Sequence, residues 1–473
     1  SKRAKSIDFM KVIAIVGFGF CGRLAFAHLA KNSKNSKIII FEKNNQNSLG
    51  SAFSSFSPHY ILNVPVEKMS AFSNCPQDFC EFLKKKYPEI FKEIGENGFA
   101  PRRIYGEYLE EITQKAFVEA QQNNIEVKFI EDEVIDILPC EQILNQVQDN
   151  VILRKISPHL HPEIASESSF ITTKSNKSFQ VNETLIATSF KQSNLPFDLN
   201  FPNLVKQIWD FPKTFHEKNF TNETICLIGS GLTAVDVVVG LSKKKFTGKV
   251  FIISRRGNLP KKHFAKIHPV PNLISVSDAK NGIVFLTKKI RNFLHQNPEY
   301  DLRYIIDSIR QITTELWQNL DNRNKKLFLR LLPYWNIFRH RAPNASIEII
   351  EEMIESKQLE LKKKGMKKVY EKNGKIFVQI HDEEIECDYL VNCLGFEFKP
   401  EKYPLLKQMI ESGLLKKDLL MAESLDPKIH LLGGLNIGRD FECTAVPDLR
   451  ICVEKVVEKI IYTNSNKASS SLV

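Results

Sequence analysis

Val12-Ile13-Ala14-Ile15-Val16-Gly17-Phe18-Gly19-Phe20-Cys21-Gly22 is five apolar residues running straight into a G-x-G-x-x-G turn. The apolar run reads as a buried parallel strand. The spacing beyond it predicts a helix over 21–30 and a second strand over 37–41, ending at Glu42. Strand, glycine turn, helix and strand make the βαβ unit that binds dinucleotides. Gly17 permits the tight turn, Gly19 lets the backbone approach a pyrophosphate, and Gly22 lets helix and strand pack closely. The helix start, with Cys21 in its first turn, presents N–H groups and partial positive charge to phosphates. Glu42 stands twenty residues past Gly22, where an acid accepts ribose hydroxyls. A carboxylate there repels a 2′-phosphate, so this turn suits FAD or NAD rather than NADP.

Further on the pattern restarts. Residues 225–228 read as a strand, Gly229-Ser230-Gly231-Leu232-Thr233-Ala234 as a G-x-G-x-x-A turn, 232–241 as a helix and 250–253 as the next strand. That strand ends in Ser254-Arg255-Arg256-Gly257, with no acid. Arginine there pairs with a 2′-phosphate, which favours NADP. The alternatives are a solvated basic turn and a fold repeat that binds nothing.

Between and beyond the two units, strands are expected over 125–130, 151–153, 185–188, 389–391 and 429–432, and a helix over 104–122. Residues 285–365 are charged and amphipathic and read as helical. Residues 368–385 alternate like a hairpin around Asn373-Gly374. A final helix covers 445–462, followed by a polar end. The fold class is α/β: two Rossmann-like dinucleotide-binding domains, the second inserted in the first, plus a helical subdomain. The expected boundaries are 1–218 for the first part of the FAD-binding domain, 219–284 for the first part of the NAD(P)-binding domain, 285–365 for the helical insert, 366–394 for the second part of the NAD(P)-binding domain, and 395–473 for the C-terminal part of the FAD-binding domain.

The 473 residues are 42% hydrophobic and 26% charged, ordinary for a globular chain with a large core. The net charge of +11 raises nucleic acid as a partner, but lysines are scattered among glutamates and no basic arm stands out, so none is expected. An anionic ligand would use a few of these charges. Nine cysteines without a C-x-x-C pair argue for reduced thiols, a cytoplasmic location, and against a dithiol reductase or a metal site. No apolar run reaches the roughly 20 residues of a membrane span. Residues 1–11 read as a flexible lead-in rather than a signal peptide, with Met10 as an alternative start.

Four further blocks carry a resemblance. They are Gly50-Ser51-Ala52-Phe53 with His59-Tyr60-Ile61-Leu62-Asn63-Val64-Pro65 and Met69-Ser70-Ala71-Phe72; Pro101-Arg102-Arg103-Ile104-Tyr105-Gly106 with Tyr108-Leu109; Trp335 with Arg339-His340-Arg341; and Glu442-Cys443-Thr444-Ala445-Val446-Pro447-Asp448-Leu449-Arg450. With the two glycine turns they resemble, in family order, the bacterial FAD/NAD(P)-binding proteins allied to flavin monooxygenases. The resemblance implies that His59, Asn63, Met69 and Ser70 lie beside the flavin ring, and that Arg102 sits near the phosphates or adenosine of FAD. It places Glu442, Thr444 and Ala445 at the flavin pyrimidine end, where a helix start would stabilise charge on the reduced ring. Thr188 and Gly395 belong to the two late-strand ends that face the cofactors. Ser189 and Leu394 stand where the family pattern has Gly and Thr.

The activity implied is that of an FAD-dependent oxidoreductase, an NADPH-dependent monooxygenase hydroxylating a small molecule. A dehydrogenase or reductase without oxygen insertion, and a flavin-bound scaffold, are the other readings. Catalytic candidates are His59, Asn63, Met69 and Arg341. His59 reads equally as a structural partner, Met69 as packing, and His263 as part of a solvated loop. Arg339-His340-Arg341 reads either as an anion site or as salt bridges that cap the helical subdomain. Gly229, Gly231, Leu232, Thr233, Arg255 and Arg256 form the NADP set.

Overall fold

The computed structural model describes residues 10–45, 49–50, 52–54, 59–140, 168–188, 192–207, 218–264 and 269–470. The expected strand over 151–153, Ser51, Ser189 and the lead-in 1–9 lie outside them. Two five-stranded parallel sheets form the frame. In the first, the order is Ile429–Leu431, Glu183–Ile186, Lys11–Val16, Ser36–Glu42 and Glu126–Glu131. In the second it is Leu359–Lys363, Lys249–Ser254, Thr224–Ile228, Tyr389–Asn392 and Leu204–Val205. In both, the strand that feeds the glycine turn is central, and the chain order reverses beside it. That reversal opens a crevice at the carboxyl ends of the strands, where dinucleotides bind.

Burial explains the central strands. The last four residues of Lys11–Val16 and of Thr224–Ile228 are buried. A strand covered on both faces has to be apolar throughout. The helices Phe20–Asn32 and Arg102–Gln122 pack on one face of the first sheet, with Val453, Val457 and Ile460 of the C-terminal helix Val446–Ser470 in the same core.

The insertion of one domain in the other is as expected, and its edges lie elsewhere. Leu204–Val205, assigned by sequence to the first domain, pairs with Tyr389–Asn392 in the second sheet. A two-residue strand carries too little periodicity to read. The helix Asn344–Glu355 and strand Leu359–Lys363, assigned to the helical insert, complete the second dinucleotide domain: Ile347, Ile350 and Met353 share a core with Val235 and Val238. The helical subdomain proper holds Gly282–Gln296, Leu302–Ser308, Thr313–Asn319 and Asn322–Arg339. The hairpin is there, Met366–Lys372 against Lys375–Ile380, with Asn373 at φ 53° and Gly374 at φ 76° as a two-residue turn requires. Glu383–Cys387 adds a third strand.

Candidate functional site

Gly17 holds φ +94°, and a Cβ there would lie 3.0 Å from the Ala187 carbonyl oxygen, at the end of the neighbouring strand. A Cβ on Gly22 would lie 2.0 Å from the Gly17 carbonyl oxygen. Gly19 caps the helix Phe20–Asn32, whose first turn holds no acid. Gly50 folds back over the turn: its Cβ would sit 3.3 Å from the Gly19 Cα. Glu42 is buried at the strand end. Its Oε2 accepts the Phe18 N–H at 2.8 Å and its Oε1 the Asn44 N–H at 3.1 Å.

Arg23 was not singled out by sequence. It is buried under the turn, donates to Phe18 O at 3.1 Å and to Thr113 Oγ1 at 2.9 Å, and lies 4.5 Å from the Phe18 ring centroid. Burial lowers its pKa to about 10, against the pull of Glu110 and Glu42. Its position one residue past the fingerprint was the only available signal.

The second turn repeats this geometry. Gly229 holds φ +106°, and its Cβ would lie 2.7 Å from the Cys393 carbonyl oxygen. Gly231 caps the helix Leu232–Lys243, and no described atom lies within 4 Å of where its Cβ would be. That open space fits a phosphate approaching the backbone. Leu232 and Thr233 form the first helical residues. Ser230 Oγ donates to Asn258 O at 2.6 Å and lies 3.0 Å from Ser254 Oγ, tying the turn to the strand end. Arg255 is exposed there and Arg256 lies 5.6 Å from the Tyr334 ring centroid. Neither has a carboxylate partner among the described residues. Thr188 and Gly395 follow the strand ends that crowd the two turns. Between them Gln192 pairs with Phe396, and Gln192 Nε2 donates to Asn392 O at 2.6 Å.

The four sequence blocks touch one another. Ile61 bridges Pro101, and Leu62 N donates to Ala100 O at 2.8 Å, so the first and second blocks run side by side. Met69 is buried in the core, and buried Ser70 donates through Oγ to Cys75 O at 2.7 Å. Arg450 of the fourth block donates to Ser70 O at 2.8 Å, and the Tyr108 hydroxyl accepts the Ala71 N–H at 3.1 Å. Arg102 pairs with Asp236 of the second domain at 2.8 Å. His263 is docked rather than solvated: its Nε2 lies 3.0 Å from Asn63 O and its ring 4.9 Å from Phe99. Burial, then the Arg341 charge, pushes it down to about 4, so it is neutral. His59 is half-buried and faces Lys244 and Lys243; burial and these charges lower its pKa.

The arginine block forms salt bridges. Arg339 grips Glu442 through two bonds of 3.1 and 2.6 Å and reaches Asp448 at 3.3 Å. Arg310 holds the same Asp448 at 3.1 Å. Arg341 pairs with Asp307 at 2.6 Å and lies 5.2 Å from the Phe264 ring centroid, with Arg303 at 4.4 Å. The Trp317 Nε1–H donates to Gly438 O at 2.5 Å and its ring stacks on Phe441. The helical subdomain therefore holds the segment 438–448 that leads into the C-terminal helix. Glu442 is committed to Arg339, Thr444 is exposed and Ala445 accepts the first helical N–H groups.

Two buried donors border this region. The Tyr105 hydroxyl and Arg450 Nε have no hydrogen-bond partner among the described residues. Tyr105 packs on Phe53 and Phe20, the latter the first residue of the glycine-turn helix. All nine cysteines are free. Burial pushes Cys21, packed against Gly433, up to about 12, and raises Cys393 and Cys443 further, so none of these is a thiolate.

Residues 14–152 match the FAD-NAD(P)-binding family model. No curated protein matches the chain significantly. Among solved structures, the reduced form of ornithine hydroxylase PvdA from Pseudomonas aeruginosa superposes with a TM-score of 0.59 at 12% identity, covering 96% of this chain and 99% of that one. Ornithine N-hydroxylase KtzI from Kutzneria sp. 744, with reduced FAD, NADP+ and L-ornithine, gives 0.59 at 14% identity, covering 96% and 100%. Bacillithiol disulfide reductase Bdr from Staphylococcus aureus gives 0.52 at 13% identity, covering 96% and 99%. The chain thus has the two-domain flavoprotein fold along nearly its whole length. Among the described residues no helix is long and apolar enough to cross a membrane.

Proposed function

We propose that this chain is an NADPH-dependent flavin monooxygenase that hydroxylates a small amine. One observation carries the reading: two glycine turns of the same geometry are followed by strand ends of opposite charge, Glu42 at the first and unpaired Arg255 at the second. The first suits FAD and the second NADP. Bound FAD would supply the redox and oxygen chemistry. The protein's part is to seat it. Gly19 gives the pyrophosphate backbone access, Glu42 takes the ribose, and Tyr105 and Arg450 offer unspent donors beside the turn. Asn63 borders the ring, and neutral His263 holds its carbonyl, while buried Met69 and Ser70 pack behind that segment. The amine class follows from the ornithine-hydroxylating structures of the same fold. Free thiols support a cytoplasmic location.

The likeness to a disulfide reductase supports a second reading, reduction without oxygen insertion. The buried thiols named above are protonated, which weighs against it. The test is to purify the chain, record its flavin spectrum, and follow NADPH and NADH oxidation anaerobically and in air with small amines. The expected result is bound FAD, faster reduction by NADPH, oxygen uptake and a hydroxylated amine by mass spectrometry. Flavin reduction without oxygen incorporation would favour the reductase. Colourless protein that takes up no FAD would sink both.

A further inference from the structure

The two dinucleotide domains are joined by two linkers that run together. Ser193 N donates to Gly395 O at 2.9 Å, and Asn392 Nδ2 donates to Ser193 O at 2.8 Å. A pair of linkers of this kind is a natural hinge. Away from it the domains meet again at a buried ion pair. Arg102, the first residue of the helix Arg102–Gln122, donates through Nη2 to Asp236 Oδ2 at 2.8 Å and through Nε to Ile61 O at 3.1 Å. The side chains are 13% and 6% exposed. Asp236 lies in the second turn of the helix that begins at Gly231. One turn further, Gly240 leaves room for the Tyr60 ring: a Cβ there would lie 3.3 Å from Tyr60 Cε1.

A buried ion pair adds little net stability, because desolvation offsets its attraction, yet an unpaired buried charge is costly. The pair therefore selects one arrangement over others. It joins the flavin-side segment 60–62, through Arg102, to the helix whose N-terminus seats the second pyrophosphate. We infer that Arg102 and Asp236 are positioning residues, a latch that sets the angle between the two domains and so the approach of nicotinamide to flavin. This rests on the function proposed above. A shift of that helix by a fraction of an ångström moves the whole dinucleotide seat, and misplacement on that scale slows transfer steeply. The groups facing Asp236 are Arg102 from the flavin domain helix, Tyr60 from the segment beside it, and Cys393 from the end of the Tyr389–Asn392 strand. Burial lifts the Asp236 carboxyl to about 6, against the pull of Arg102.

The test uses the full chain with FAD bound. Arg102→Lys keeps the charge but not the fork that serves Asp236 and Ile61 together; Asp236→Asn keeps the shape. Both are expected to retain flavin and to bind NADPH much as the parent does. Anaerobic flavin reduction at saturating NADPH should slow by about 10- to 100-fold. The double variant should be no slower than the slower single one, since both break one contact. The parent's reduction rate should fall below pH 6, and Asp236→Asn should lose that limb. Unchanged rates, or losses that multiply, overturn the latch. If NADPH does not reduce the parent at all, the proposed function fails and hydrogen exchange decides the latch. Amides of 100–106 and 232–243 should then exchange faster in both variants, and unchanged exchange overturns it.

Discussion

Glu42 accepts the Phe18 N–H through one carboxylate oxygen and the Asn44 N–H through the other, so it shapes the glycine turn as well as standing where we propose the ribose binds. Glutamine has one acceptor oxygen and turns an N–H against the second donor. Glu42→Gln should therefore destabilise the protein by about 1–3 kcal/mol, the range for a buried donor left unpaired. It should also lower the flavin-to-protein absorbance ratio after dialysis; an unchanged ratio would remove Glu42 from the site. At the other turn Arg255 has no such structural duty. Arg255→Ala should leave melting temperature and flavin content alone. Its preference for NADPH over NADH, read as a ratio of kcat/KM, should fall roughly 10- to 100-fold, the worth of a charge-assisted contact to phosphate.

At the scale of elements, the glycines of the two turns separate folding from binding. Gly22 allows the helix Phe20–Asn32 to touch the strand that precedes it, and a methyl there meets a backbone carbonyl. Gly22→Ala should cost several kcal/mol, in the range of severe overpacking, and yield little soluble flavoprotein. Gly231 has an ordinary φ of −82° and open space before it. Gly231→Ala should fold with an unchanged melting temperature and still raise the KM for NADPH, because the added methyl occupies the approach of the phosphate. An unaltered KM would mean that no dinucleotide seats there. The same contrast explains why the fingerprints were legible: the turn needs glycine for reasons that lie within a few residues of it.

At the scale of the molecule, the helical subdomain and the C-terminal segment are held by charges gathered from distant parts of the chain. Arg339 and Glu442 are each 8% exposed. Arg339→Met should lower stability in urea by about 3–5 kcal/mol, since it leaves Glu442 buried and unpaired. Adding Glu442→Leu should recover most of the loss. The pH dependence has a worked sign. His340 and His263, pushed down to about 4 by burial, bind protons more readily when unfolded. Their contribution is present above about pH 6.5 and is lost as pH falls towards 4, by up to ~3 kcal/mol each. Asp236, lifted to about 6, works the other way and favours the folded state as pH falls through 6. Urea midpoints should therefore drop between pH 6.5 and 4.5, less in His340→Gln and more in Asp236→Asn.

The sequence by itself determined both dinucleotide units, the nested order of the domains and the acid or arginine that ends the strand after each turn. Those features depend on strand periodicity, on glycine sterics and on one residue at a strand end, all short in range. The edges of the insert were not legible, because Leu204–Val205 and Leu359–Lys363 are too short or too mixed to show which sheet they join. Nor were the partners of Arg102, Arg339 and His263. A charged side chain advertises its sign but not its partner, and Asp236, Glu442 and the Asn63 carbonyl lie more than a hundred residues away. Only the tertiary structure decided that Arg102 faces the second domain, that the arginine block clamps the C-terminal segment, and that His263 is docked and neutral. Burial makes each of those choices, and burial belongs to the assembled fold.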